Sequence, residues 1–321
     1  MRMTKDDLVI SYWAIGPTYR TQLKENLLKQ PLDKDWFNIV ILTDYPDDFA
    51  EFADNKNIIE ILDIAEQRKN HEWSFISEKI PPATTDEEIY SEEFNRLRRE
   101  NMNFSYSLHR FSLPWIISKG FSKFVLLDAD VYLSYDGHTS TEEYINNFIQ
   151  VNFDSMPEES KMRLLPGRSI ERDVAETGEF YDTLSALVEE EFPDISIARD
   201  FVSINIGDGP IKIYKFDNLE EASKYFDVWN FVTKNIMGEY KYLLINSNMI
   251  GPYAVNDELT IAFINKFLNI QPMYDVPRAF TVKHDIYKTR YFALTHGTYE
   301  QASSLEKFLE VNNLTLDDIN L

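Results

Sequence analysis

The segment Phe124-Val125-Leu126-Leu127-Asp128-Ala129-Asp130 places an apolar run directly before two aspartates. A short continuous apolar run is typical of a strand that is covered on both faces. Ligands of open α/β sheets bind at the carboxyl ends of such strands. The segment therefore predicts a central strand that delivers Asp128 and Asp130 to a ligand site.

Three further apolar runs lie before this strand, at residues 8–13, 37–42 and 58–62. The first ends at Gly16-Pro17, after which apolar residues recur at helical spacing. Continuous strands that alternate with helical segments predict an α/β fold with an open sheet flanked by helices. A helix is also expected at residues 106–118, where Pro114 bends or interrupts it.

The second half of the chain has a less regular pattern. Helices are expected at residues 180–191, 219–235 and 258–267, and strands at residues 201–206 and 211–216. Consecutive strands without an intervening helix indicate antiparallel pairing. We therefore expect a mixed sheet, with a smaller α+β portion contributed by the second half.

Composition excludes several classes of protein. The 321 residues carry a formal net charge of −22, which disfavours general binding to nucleic acid. The absence of cysteine excludes disulfides and thiolate metal sites, and is compatible with a reducing compartment. Neither a signal peptide nor an apolar run long enough to span a membrane is recognisable. A cytoplasmic protein is the expectation, and the sequence makes no prediction of oligomeric state.

Asp128 and Asp130 have the chemistry of a site for a hard divalent cation. Both carboxylates leave one strand together, and carboxylate oxygens suit Mn²⁺ or Mg²⁺. Such a cation would offset the negative field of the protein near a diphosphate. The alternative is that the two aspartates only end a strand in a solvated turn.

The sequence around this strand carries a family resemblance. It reads Leu108-His109-Arg110-Phe111-Ser112-Leu113-Pro114-Trp115 and then Lys123-Phe124-Val125-Leu126-Leu127-Asp128-Ala129-Asp130-Val131. These two segments resemble the core signature of GT-A fold glycosyltransferases, in particular glycosyltransferase family 8, the glycogenin and galactosyltransferase-like family. The resemblance implies that Asp128 and Asp130 hold manganese and that the Asp128-Ala129-Asp130 segment contacts the donor nucleotide. It also implies that Arg110 contacts the donor sugar or phosphate.

The residues at the ends of two predicted strands resemble the segments that bind the base of the donor nucleotide in the same enzymes. Residues 11–16, which include Tyr12, Ala14 and Ile15, look like the segment whose backbone holds the base. Thr43 and Asp44 follow the second strand in a similar place. Tyr12 would stack on the base, or it is an ordinary strand aromatic.

Two candidate ligands lie near the C-terminus. Lys283 belongs to a basic cluster in an acidic chain, which would contact a diphosphate or form a solvated hairpin. His296 is followed by a glycine, and by resemblance to family 8 it is the third protein ligand of the metal. The alternative for His296 is a hydrogen-bonded structural role.

Asp257 and Glu258 precede an apolar helix, where they would cap its N-terminus. In the GT-A resemblance, an acidic pair at this place faces the reaction centre and the acceptor. A carboxylate there would remove the acceptor hydroxyl proton in an inverting reaction, or support oxocarbenium-like charge in a retaining one.

These observations predict a metal-dependent glycosyltransferase that moves a sugar from a nucleotide diphosphate, expected to be UDP, to a hydroxyl of a glycan or another acceptor. Family 8 implies retention of configuration, and inversion stays open. Residues 1–135 form the expected nucleotide-sugar half and residues 136–321 the acceptor half of one GT-A domain.

Two other functions stay open. A haloacid dehalogenase-type phosphohydrolase also has a strand followed by Asp-x-Asp, with Asp128 as nucleophile and Asp130 as acid/base. Its later Gly-Asp motif is only half present, at Gly207-Asp208. The other alternative is a non-catalytic carbohydrate-binding protein that keeps the GT-A fold.

Overall fold

The computed structural model describes residues 3–70, 108–133, 135, 140–165, 169–172, 177–205, 208–238, 257–274 and 280–282.

A seven-stranded mixed sheet forms the centre of the structure. Its strands are β1 (Leu8–Ala14), β2 (Asn38–Thr43), β3 (Ile58–Asp63), β4 (Lys123–Asp128), β6 (Met162–Leu165), β9 (Asp208–Lys215) and β10 (Met273–Tyr274). They are arranged in the order β10-β6-β9-β4-β1-β2-β3, and β9 alone runs antiparallel to its neighbours. Two small sheets pair β5 (Val131–Leu133) with β11 (Phe280–Val282) and β7 (Ser169–Glu171) with β8 (Ser203–Asn205).

Helices cover both faces of the large sheet. They are α1 (Pro17–Leu28), α2 (Ile64–Asn70), α3 (Leu113–Ser118), α4 (Thr141–Ile149), α5 (Thr177–Glu191), α6 (Leu219–Gly238) and α7 (Asp257–Phe267). We call the face on which Val9, Ser11 and Trp13 lie face A, and the face of Ile10 and Tyr12 face B. Side chains of α3, α5, α6 and α7 pack on face A, and those of α1 and α4 pack on face B.

The predicted α/β class is confirmed by this arrangement. The strands expected at residues 8–13, 37–42 and 58–62 are β1 to β3, with ends that differ by one residue at most. The apolar runs are continuous because each strand contributes alternate side chains to two separate cores. The expected mixed sheet also occurs, because β9 lies antiparallel between β4 and β6. The consecutive strands β8 and β9 do not pair with each other, since β8 pairs with β7 in a separate sheet.

The segment before β4 differs from the expected helix broken at Pro114. A 3₁₀ turn, Leu108–Ser112, precedes α3, and Pro114 lies in the first turn of that helix. Proline is tolerated there because the missing N–H would have no helical partner. The interruption of the helix therefore comes before Pro114, and residues 108–112 form a separate 3₁₀ turn on face A.

No helix in the described ranges combines the length and the apolar composition needed to cross a membrane.

Candidate functional site

The order of the strands creates a crevice at the carboxyl ends of β1 and β4. From β1 the chain goes to β2 and β3 on one side, whereas β4 lies on the other side of β1. Both strands run parallel to each other, and Trp13 is the register partner of Asp128. Such a switch in strand order is where open α/β sheets bind ligands. Asp128 and Asp130 therefore leave the sheet at its expected ligand site.

The two aspartates are partly exposed at this edge, and the residue between them is buried. Asp128 and Asp130 are half-buried, whereas Ala129 has no exposed surface and packs in the core of face B. The indole Nε1–H of Trp13 donates a hydrogen bond of 2.6 Å to Oδ1 of Asp128. One of the two predicted metal ligands is thus oriented by its cross-strand neighbour.

The chemistry of these two side chains fits a hard divalent cation. Two carboxylates that follow one strand can supply part of an oxygen-rich ligand set for Mn²⁺ or Mg²⁺. Within the described residues, no group of three or more histidine or acidic side chains could hold a metal ion. His296, the predicted third ligand, lies outside the described residues, as does Lys283.

Arg110 lies on the same face of the sheet as Asp128. Its side chain has no exposed surface, and its guanidinium lies 4.4 Å from the centre of the Phe111 ring. The 3₁₀ turn that carries it is tied to β1, because the Ser11 hydroxyl donates a 2.9 Å hydrogen bond to the Ser112 hydroxyl. The structure thus brings the predicted donor arginine and the predicted metal ligand to one face.

The residues predicted at the end of β2 have tertiary partners. The Thr43 hydroxyl donates to the Ala14 carbonyl oxygen at 2.9 Å, and neither residue has exposed surface. Both carboxylate oxygens of Asp44 accept from the Gly16 N–H, at 3.2 and 3.1 Å. Gly16 has a φ of 91°, which favours glycine, so Asp44 stabilises a turn that few other residues could form.

Arg20 completes this network. It donates to Asp44 Oδ1 at 2.7 Å and to Asp48 Oδ2 at 2.5 Å. Burial alone would lower the pKa of Arg20, but the hydrogen bonds and charges of the two carboxylates outweigh burial and raise it. The charge of Asp44 is therefore already balanced by a fixed cation.

Tyr12 does not lie at the sheet edge. Its ring is fully buried among the residues of face B, and its hydroxyl accepts a 3.3 Å hydrogen bond from Gln30. A ring without exposed surface offers no face to a nucleotide base, so stacking by Tyr12 does not fit this geometry. Ile15 is half-buried and packs against the core of face A.

The predicted catalytic pair lies at the start of a helix. Asp257 and Glu258 are the first two residues of α7, which packs against α5, α6 and β9. That helix belongs to the layer on face A, the face that also carries Asp128 and Arg110.

Three residues at or near this edge were not predicted. Trp13 donates a hydrogen bond to Asp128. Tyr45 follows β2 and exposes half of its surface, and the guanidinium of Arg20 lies 5.6 Å from the centre of the Tyr45 ring. Lys212 is almost fully buried on face A, beside Leu126 of β4. A charged residue between Ile211 and Ile213 was the available signal for Lys212, since an apolar strand rarely contains a lysine without a specific role.

Comparison with solved structures found 40 similar chains, and two of them are the following. The chain is similar to mouse xyloside xylosyltransferase 1 in its apo form, with 10% sequence identity and a TM-score of 0.36, over 84% of this chain and 85% of that chain. It is also similar to an active-site mutant of LgtC, with 11% identity and a TM-score of 0.36, over 95% of each chain. No protein-family model matches the chain, and no curated protein matches it.

Proposed function

We propose that the protein is a metal-dependent glycosyltransferase of the GT-A type, which transfers a sugar from a UDP-sugar to a hydroxyl acceptor. One observation carries the proposal: Asp128 and Asp130 leave β4 at the switch in strand order, where open α/β sheets bind nucleotides, and the turn of Arg110 is bonded to β1 on the same face. The resemblance of residues 108–131 to the core signature of family 8 supports glycosyl transfer as the class of reaction.

In this proposal Asp128 and Asp130 hold the cation, which is Mn²⁺ or Mg²⁺. When bound, the cation supplies positive charge for the diphosphate that leaves with the nucleotide. Arg110 contributes a fixed charge on the same face. Local cations are needed because the formal net charge of −22 repels a diphosphate from most of the protein.

Residues 1–135 bind the donor and residues 136–321 bind the acceptor. The base lies near the ends of β1 and β2, where backbone groups of Ile15 are the candidates for contact. Lys283 and His296 add a diphosphate contact and a third metal ligand. The base site and the role of His296 come from the family resemblance, and the role of Lys283 comes from its basic cluster.

Asp257 and Glu258 act on the acceptor. A carboxylate at the start of α7 accepts the proton of the acceptor hydroxyl, or it stabilises the positive charge that develops on the donor sugar. Retention of configuration follows from the family 8 resemblance, and the acceptor-side carboxylate then supports charge rather than removing a proton.

A thermal-shift panel tests the proposal. UDP, GDP, CMP and their sugars are added with and without Mn²⁺, because a ligand that binds only the native state raises the melting temperature. We expect UDP with Mn²⁺ to give the largest shift, and UDP-sugar to be turned over. Release of phosphate from a generic phosphomonoester, without any nucleotide effect, would favour the phosphohydrolase instead.

A further inference from the structure

We propose that Trp13 is the positioning residue of the metal site, which holds the Asp128 carboxylate ready for the cation. This inference rests on the proposed function, since it concerns the same site. It adds a residue outside the Asp-x-Asp segment, to whose side chain the resemblance assigns no role.

The backbone register brings the two side chains together. Trp13 and Asp128 are partners in the parallel pair of β1 and β4, and both side chains leave the sheet on face A. The distance from Trp13 Nε1 to Asp128 Oδ1 is 2.6 Å. A carboxylate has about four acceptor positions and the bond from Trp13 occupies one of them, so this bond is compatible with cation binding by the same group.

The indole is itself fixed. Its ring stacks on Tyr19 of α1 with a centroid distance of 5.6 Å and an interplanar angle of 30°. It also packs against the core of face A. Because the ring is held by these contacts, the direction of its N–H bond is determined before any ligand arrives.

The chemistry of tryptophan suits this task. An indole N–H only donates, so it cannot compete with the carboxylate for the cation. It carries no charge, so it orients Asp128 without the repulsion that a lysine or arginine would add. Hydrogen bonds of this kind to ligating carboxylates orient the ligand, and removal of such a partner weakens metal affinity by about 10- to 100-fold.

A nuclear magnetic resonance experiment tests the contact directly. The chain contains five tryptophans, and ¹⁵N-labelled indoles give one N–H signal each; Trp13→Phe identifies the signal of residue 13. We expect substoichiometric Mn²⁺ to broaden this signal selectively, because the paramagnetic ion binds next to Asp128. Trp36 is the internal control, since it is buried on face B and its N–H donates to Gln30 at 2.9 Å.

Affinity for Mn²⁺, measured by electron paramagnetic resonance without any substrate, tests the positioning role. Trp13→Phe keeps an aromatic ring beside Tyr19 and removes the donor, and we expect roughly tenfold weaker binding. Trp115→Phe is the matched control, because that indole lies on α3 under the Lys119 ammonium, and we expect unchanged binding.

The outcomes separate this inference from the proposed function. If the wild-type protein binds no Mn²⁺ and its Trp13 signal is unaffected, the metal site and the proposed function both fail. If the wild type binds Mn²⁺ and Trp13→Phe binds it equally well, only the positioning role is overturned. Asp128→Asn provides a second reading that leaves the tryptophan in place: the Trp13 proton signal should move upfield, and an unchanged signal contradicts the contact.

Discussion

Arg20 and Asp44 form an ion pair with an Nη1–Oδ1 distance of 2.7 Å at the carboxyl end of β2, and their side chains are only 13% and 12% exposed. Asp44 also accepts the Gly16 N–H, so this carboxylate joins the ends of β1 and β2 to the start of α1. The pair explains why a residue in a typical ligand position has a structural role.

Asp44→Ala should lower the free energy of unfolding by about 2 to 4 kcal/mol, because it leaves Arg20 with a single partner in a mostly buried place. Urea unfolding measures this loss. Asp194→Ala is the control, since its ion pair with Lys224 involves a carboxylate that is 70% exposed and should matter little. Equal losses in the two variants would contradict the structural role of Asp44.

Asp130→Ala should abolish the manganese-dependent part of the thermal shift with UDP, because the cation loses one of its two described carboxylates. A chelator added to the wild type should have the same effect. Asp200→Ala removes an exposed carboxylate from another part of the chain and serves as the control. A full manganese-dependent shift in Asp130→Ala would exclude this residue from the site.

Ser112→Ala should destabilise the protein by about 1 to 2 kcal/mol, because the buried Ser11 hydroxyl loses its partner. The double variant Ser11→Ala/Ser112→Ala should be less destabilised than the sum of the two single variants, since that sum counts the loss of the Ser11–Ser112 bond twice. Urea unfolding of the four proteins measures the coupling. Strict additivity would show that the two hydroxyls do not interact.

Stability should fall at alkaline pH, between pH 10 and pH 12. Burial raises the pKa of Tyr181 to about 12 from its ordinary value of 10.0. In that window the unfolded chain loses the Tyr181 proton while the folded chain keeps it, so the free energy of unfolding decreases as pH rises.

Tyr181→Phe should make this decrease shallower by up to about 1.4 kcal/mol per pH unit, the contribution of one proton. Urea unfolding at a series of pH values measures the slope for both proteins. Part of the slope should persist, because burial also raises the pKa of Tyr274 to about 12. Identical slopes in the two proteins would contradict the shift at Tyr181.

The sequence was sufficient to predict the strands that build the site. Each of β1 to β4 is a local apolar run, and local runs reveal strands whatever their partners are. The position of Asp128 and Asp130 could be predicted because the two residues directly follow the apolar run of β4. By contrast, α4 (Thr141–Ile149) was not predicted, although Ser140 caps it by accepting the Glu143 N–H.

The roles of individual side chains could not be predicted in the same way. Because both faces of β1 are covered, its pattern does not tell which of Tyr12 and Trp13 enters a core and which reaches the site. Thr43 and Asp44 look available in the sequence, yet their partners Ala14 and Gly16 belong to another strand end. Only the register between strands determines these pairings.

The neighbourhood of β1 and β4 has a consequence for how the protein folds. Trp13 and Asp128 are separated by 115 positions along the chain, and a pairing of such high contact order forms slowly. Before β4 docks, β1 keeps an unpaired edge, which is a template for aggregation. An N-terminal fragment that stops after β3 should therefore self-associate. Cation binding should appear only after β4 has paired with β1 in the complete sheet.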